Sequence, residues 1–120
     1  MHADQFETRL ARVRHRFATT LESKITNAVV SADQMSRSGD GIAKHVSDSY
    51  RLLHGICGIG PTVGFTATSE AAHAAEVALT PAHHESRGPT QTEVLSLKIA
   101  LERLQVAAAS ELQLMYQRGG

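Results

Sequence analysis

Leu53-His54-Gly55-Ile56-Cys57-Gly58-Ile59-Gly60-Pro61-Thr62-Val63-Gly64-Phe65 lies mid-chain, at the end of a helical pattern, and sets one histidine among small residues. Upstream of it, Ile42, Val46, Ser49, Leu53, Ile56 and Gly60 fall on one arc at helical spacing. At roughly 100° per residue, His54 lies beside Leu53 at the edge of that arc. A nucleophile needs such a position, held by the core and reachable from outside. Tyr50 and Gly58 are its i−4 and i+4 neighbours, and Arg51 and Cys57 are its i±3 neighbours. Pro61 cannot donate to the carbonyl of Cys57, so the helix bends or ends near residue 60. Gly64 then closes the turn. A Gly inside a helix costs about 1 kcal/mol against Ala. Gly55 and Gly58 both fall where the pattern is helical, and close approach of another backbone or molecule is the usual compensation.

Working outward, residues 3 to 37 contain no Gly or Pro. Phe6, Leu10, Val13 and Phe17 recur at the spacing of one buried stripe, which resumes at Leu21, Ile25, Ala28, Ala32 and Met35. Arg9, Arg12, Arg14 and Arg16 read as a solvated face. Thr19, Thr20 and Ser23 lower helix propensity at the join. Two helices are expected, about 3–20 and 22–37, with a kink or short turn between them; one continuous helix is the alternative. Ser38-Gly39-Asp40-Gly41 is a turn by composition, with Asp40 placed to cap the next helix.

Downstream of Gly64, Thr66 or Thr68 is expected to cap a helix running to about Leu79, thin because of Ala71, Ala72, Ala74 and Ala75. Thr80-Pro81 is expected to stop it, leaving a loop over residues 80 to 89. Thr90 and Glu93 form a capping box for the last helix. Leu97, Leu101, Leu104, Ala108, Leu112 and Met115 give that helix a stripe to about Gln117. The pattern predicts an all-α fold over residues 1–120 as one domain: an antiparallel four-helix bundle with an additional N-terminal helix.

Composition bounds the function. The chain has 120 residues, with 12 Lys plus Arg against 12 Asp plus Glu, so its formal charge is zero, which argues against a general nucleic-acid or polyanion binder. A single Cys excludes an internal disulfide framework. No apolar run reaches the roughly 18 residues of a membrane span. No stretch near the N-terminus resembles a signal peptide. A cytoplasmic protein is the expectation, without membrane or nucleic-acid partners and with a monomer favoured.

His54, Ile56 two positions on, Gly58 four positions on and the helix-ending pair Gly64-Phe65 together resemble the histidine-containing phosphotransfer (HPt) domain of two-component phosphorelays. Thr66 to Glu76 is similar to that family's small-residue helix ending in Glu. Arg16-Phe17 is similar to the Arg-Phe of its first helix. The resemblance spans nearly the whole chain and implies the same bundle. It implies that His54 is the phosphoacceptor, with Tyr50, Arg51, Cys57 and Gly58 forming its docking and phosphoryl environment. The implied partners are response-regulator receiver domains and a hybrid histidine kinase. The chain would be a phosphocarrier rather than an enzyme, without cofactor or metal of its own, because the receiver supplies the aspartate and the divalent ion. Two positions depart from the family: Cys57 stands where many members carry Lys or Arg, and Leu53 where Ala is common. A second register sets Arg51 at the histidine position with Leu53 and Gly55, but it loses the Gly64-Phe65 match and the nucleophile.

Imidazole suits the proposed chemistry, since its ordinary pKa of about 6.5 leaves it mostly neutral near pH 7. Its neutral nitrogen attacks the aspartyl phosphate of one receiver and passes the phosphoryl group to another. Two other classes stay open. One is an adaptor of the same fold that docks a receiver or kinase without carrying phosphate. The other is a bundle enzyme or metal site using His54 and Cys57. Cys57 by itself reads as a small hydrophobe. His83-His84, with His73 and Glu85, have poor zinc spacing and read as solvated loop residues.

Overall fold

The computed structural model describes residues 2–37 and 41–118, with side chains from Gln5 onward. Four helices follow one another: α1 (His2–Met35), α2 (Ile42–Ile59), α3 (Thr66–His84) and α4 (Gln91–Gln117). There is no strand among the described residues. Each helix packs on two neighbours in the ring α1–α2–α3–α4, and neither diagonal pair makes close backbone contact. The chain is therefore a four-helix bundle, and its buried side chains form one hydrophobic cluster drawn from all four helices.

The expected break near residue 21 is absent. α1 is one helix of 34 residues, so among the described residues the expected N-terminal helix is the first half of α1 rather than a separate element. Leu21 is fully buried at the supposed join. The hydroxyls of Thr19 and Thr20 both donate to the carbonyl of Arg16, at 3.1 and 3.0 Å, so they are satisfied without leaving the helix. The stripe from Phe17 through Met35 is buried as expected, whereas Phe6 and Val13 are 67% and 45% exposed. Length explains the difference. A 34-residue helix spans about 51 Å, while α2 and α4, the helices it packs on, have 18 and 27 residues with which to cover it.

α2 buries Val46, Ser49, Leu53 and Ile56, as the arc required. The expected Asp40 cap lies outside the described residues; Gly41, at φ +87°, is the N-cap and offers no side chain. The close approach anticipated at Gly55 and Gly58 occurs instead at Gly60. A Cβ there would lie 2.8 Å from Ser69 Cβ and 3.0 Å from two carbonyl oxygens. Among the described residues, nothing beyond the flanking residues and the helix's own backbone lies within 4 Å of a Cβ at Gly55 or Gly58. Gly64, at φ +87°, closes the turn. Arg14 Nε donates to the carbonyl of Val63 at 3.1 Å, and the rings of Phe17 and Phe65 meet at 5.1 Å, pinning the turn to α1.

Two expectations for α3 are corrected. Neither Thr66 nor Thr68 caps it. Its N-cap, Phe65, has no side-chain acceptor, and Glu111 of α4 does that work. Glu111 accepts from Thr68 N–H at 2.7 Å, from Thr68 Oγ1 at 2.6 Å and from Ala67 N–H at 3.3 Å. A carboxylate at a helix N-terminus is also favoured by the helix dipole. At the other end, the helix continues through Pro81 to His84. Pro81 forfeits a single backbone bond, its ring is exposed, and burial of Ala82 just beyond keeps the helix docked. Ends at Ile59 and Gln117 match the expectation, as does the reciprocal Thr90–Glu93 capping box on α4. Among the described residues, no helix is long and apolar enough to cross a membrane.

Candidate functional site

The site lies on the α2–α3 seam. Small residues bring these helices together: Ala72 and Ala75 are fully buried, and Ser69 Oγ donates to the carbonyl of Cys57 at 2.7 Å. His54 faces Glu76, and Cys57 faces Ser69, so rising numbers on α2 meet falling numbers on α3. Between these contacts the seam holds a group of polar side chains.

His54 stands at the edge of the buried arc, as its position beside Leu53 required, with its side chain 70% exposed. Its Nδ1 lies 2.7 Å from Glu76 Oε1, and the Glu76 side chain is only 10% exposed. An ionised carboxylate only accepts hydrogen bonds, so in a neutral ring paired with it Nδ1 is the donor and the lone pair falls on Nε2. The other oxygen of Glu76 lies 3.7 Å from His73 Nδ1.

Tyr50 is half-buried. Its ring is parallel to that of His54 within 6°, at a centroid separation of 6.2 Å, and stacks closely on His83 at 4.1 Å. His83 is therefore a helical residue in an aromatic contact rather than a solvated loop residue; His84, also helical, is exposed. Arg51 is exposed on the His54 side of α2 and makes no hydrogen bond or ion pair among the described residues. Its charge acts on Asp48, whose carboxyl is held below the usual range, first by the hydrogen bond from Lys44 and in smaller part by Arg51. Gly55 and Gly58 are exposed beside His54 and leave open surface around it.

Cys57 is half-buried and free. A sulfur, an imidazole nitrogen and a carboxylate oxygen, from Cys57, His73 and Glu76, all lie within 4.8 Å of one another. The structure thus brings together His54, Tyr50, Cys57 and Gly58 of the expected set and adds Glu76, His73 and His83. It leaves Arg51 without a direct partner. A signal for Glu76 was available: it is the one acidic residue on the arc Ala72, Ala75, Glu76, Leu79, all buried. The chain separates it from His54 by 22 residues, so only the packing of α2 on α3 reveals the pair.

The arrangement can present an imidazole nitrogen to an incoming electrophile while a buried carboxylate fixes the ring and balances charge developing on it. No protein-family model, curated protein or solved structure matches the sequence.

Proposed function

We propose that the chain is a histidine phosphotransfer protein, an antiparallel four-helix bundle that relays a phosphoryl group between receiver-domain aspartates through His54. One observation carries the reading: the ring of His54 is mostly exposed while its Nδ1 is tied to a nearly buried carboxylate. That pairing fixes the tautomer and aims Nε2 outward. The Nε2 lone pair attacks the phosphorus of an aspartyl phosphate. The P–N bond forms as the P–O bond to the aspartate breaks, and the carboxylate leaves. The Nδ1 proton stays hydrogen-bonded to Glu76, which offsets the positive charge that the ring acquires. In the return step a second aspartate attacks phosphorus and the P–N bond breaks. Such transfer depends mainly on positioning and charge stabilisation, so a carrier needs little beyond the imidazole and a docking surface. The open ground at Gly55 and Gly58 supplies that surface. Receivers and a hybrid kinase are the partners and the cytoplasm is the compartment in this reading, and the chain is a carrier rather than an enzyme.

Incubation with a receiver phosphorylated on its aspartate tests the proposal. Acid-labile, alkali-stable label on His54 supports it. Receiver binding without label would replace the carrier with an adaptor of the same fold.

A further inference from the structure

We propose that Cys57, His73 and Glu76 form a binding site for a borderline-soft divalent cation of the Zn2+ class. The three ligand atoms already lie within 4.8 Å of one another. In a tetrahedral zinc site, bond lengths of about 2.0–2.3 Å put neighbouring ligands about 3.5 Å apart. Closing the cage requires movements of about an ångström, and the mobile member is at hand, because the His73 side chain is 63% exposed and can turn inward. The backbone need not rearrange. The Ser69–Cys57 hydrogen bond and the close contact at Gly60 fix the α2–α3 seam on which the ligands stand.

The donor set selects the ion. A thiolate, an imidazole and one carboxylate oxygen suit Zn2+ or Co2+, whereas Mg2+ and Ca2+ require oxygen ligands. Three protein ligands leave a fourth position for water. Glu76 ligates through Oε2 while Oε1 stays hydrogen-bonded to His54, an outer contact that orients a metal-binding carboxylate. Binding takes in a dication and releases the proton of the Cys57 thiol. The local charge therefore rises by about one unit, one carboxylate away from His54. That this charge bears on phosphoryl transfer rests on the carrier reading above; the binding itself does not.

The test uses the purified, reduced and unphosphorylated full chain, titrated with Zn2+ and with Co2+. One equivalent should bind, Co2+ should give a thiolate-to-metal charge-transfer band, and each equivalent should release about one proton. Cys57→Ser should abolish the band, and His73→Gln should weaken binding by about tenfold or more. The pair His83→Ala and His84→Ala should leave both unchanged. His73 is exposed, so His73→Gln decides the matter even if Cys57→Ser fails to fold. The proposal is overturned if neither ion binds saturably, if His73→Gln binds as tightly as the parent, or if binding is lost on removing His83 and His84. No receiver is present, so a negative result leaves phosphate acceptance by His54 intact, and failed phosphotransfer leaves the metal result intact.

Discussion

The exposed imidazole of His54 hangs on the nearly buried carboxylate of Glu76: Nδ1 and Oε1 are 2.7 Å apart, with side-chain exposures of 70% and 10%. The bond joins α2 to α3 and divides the ring into an anchored nitrogen and a free one. Its consequences can be tested from either partner.

His54→Gln should keep the fold and lose phosphate acceptance. Gln can still donate to Glu76 from an exposed position, so the melting temperature should stay within about 3 °C of the parent. Label retained in this variant would move the nucleophile elsewhere.

Glu76→Gln should leave a hydrogen bond but remove its charge. A charge-assisted bond exceeds a neutral one by about 1–1.5 kcal/mol, so transfer from a phosphorylated receiver should slow by roughly tenfold. Single-turnover kinetics measure this directly. A wild-type rate would show that the carboxylate positions nothing that matters to transfer.

Gly58→Gln separates docking from stability. Among the described residues, no other part of the protein approaches a Cβ at Gly58, and replacing a mid-helix Gly by a good helix former should add about 0.5–1 kcal/mol. Transfer should nonetheless fall sharply, because the new side chain stands one turn from His54 where a partner must approach. The two measurements move in opposite directions, which simple destabilisation cannot mimic. Unchanged transfer would place the docking surface on another side of the bundle.

Glu111→Ala should be among the more damaging single changes away from the site. Thr68 is fully buried, and both its N–H and its hydroxyl donate to Glu111. Leaving them without an acceptor should cost about 2–3 kcal/mol, lowering the melting temperature by roughly 6–12 °C. His54 should still accept phosphate at temperatures where the variant is folded.

Acid should act through Glu93. Its carboxyl is pushed down to about 2, chiefly by the hydrogen bonds from Arg87 and next by the backbone N–H of Thr90. The folded value lies below the unfolded one, so the stabilisation is complete above about pH 4.5 and is lost as pH falls toward 2. Denaturant melts across that window should show a shallower decline in Glu93→Gln than in the parent. Equal slopes would remove Glu93 from the acid response.

Periodicity made much of the bundle legible. The stripes of α2 and α4 were read residue by residue, because a buried face repeats at fixed spacing whatever it packs against. Local capping was legible for the same reason: Thr90 and Glu93 are three residues apart and complete their box without outside help. The failures were failures of context. Thr19, Thr20 and Pro81 are poor helix residues locally, but buried Leu21 and Ala82 beside them hold α1 and α3 continuous. Phe6 and Val13 share a stripe with Phe17, yet the stripe cannot tell where the shorter partner helices run out. At the site, His54 was legible from its place on the arc and Glu76 stood out as an acid on a buried arc, but the pairing of the two, and the nearness of His73, exist only across the α2–α3 seam and were not legible.

The reach of Glu111 across 43 residues to Thr68 also orders events in time. The Thr90–Glu93 box closes as soon as its own turn nucleates. The first turn of α3 has no such local cap, so its side-chain acceptor comes from α4. During synthesis the start of α3 leaves the ribosome before the residue that completes it. The α2–α3 seam, and with it the pairing of His54 with Glu76, is thereby linked through α3 to a contact with the last helix. In the carrier reading, the setting of His54 against Glu76 thus depends on a contact that α4 makes at the start of α3.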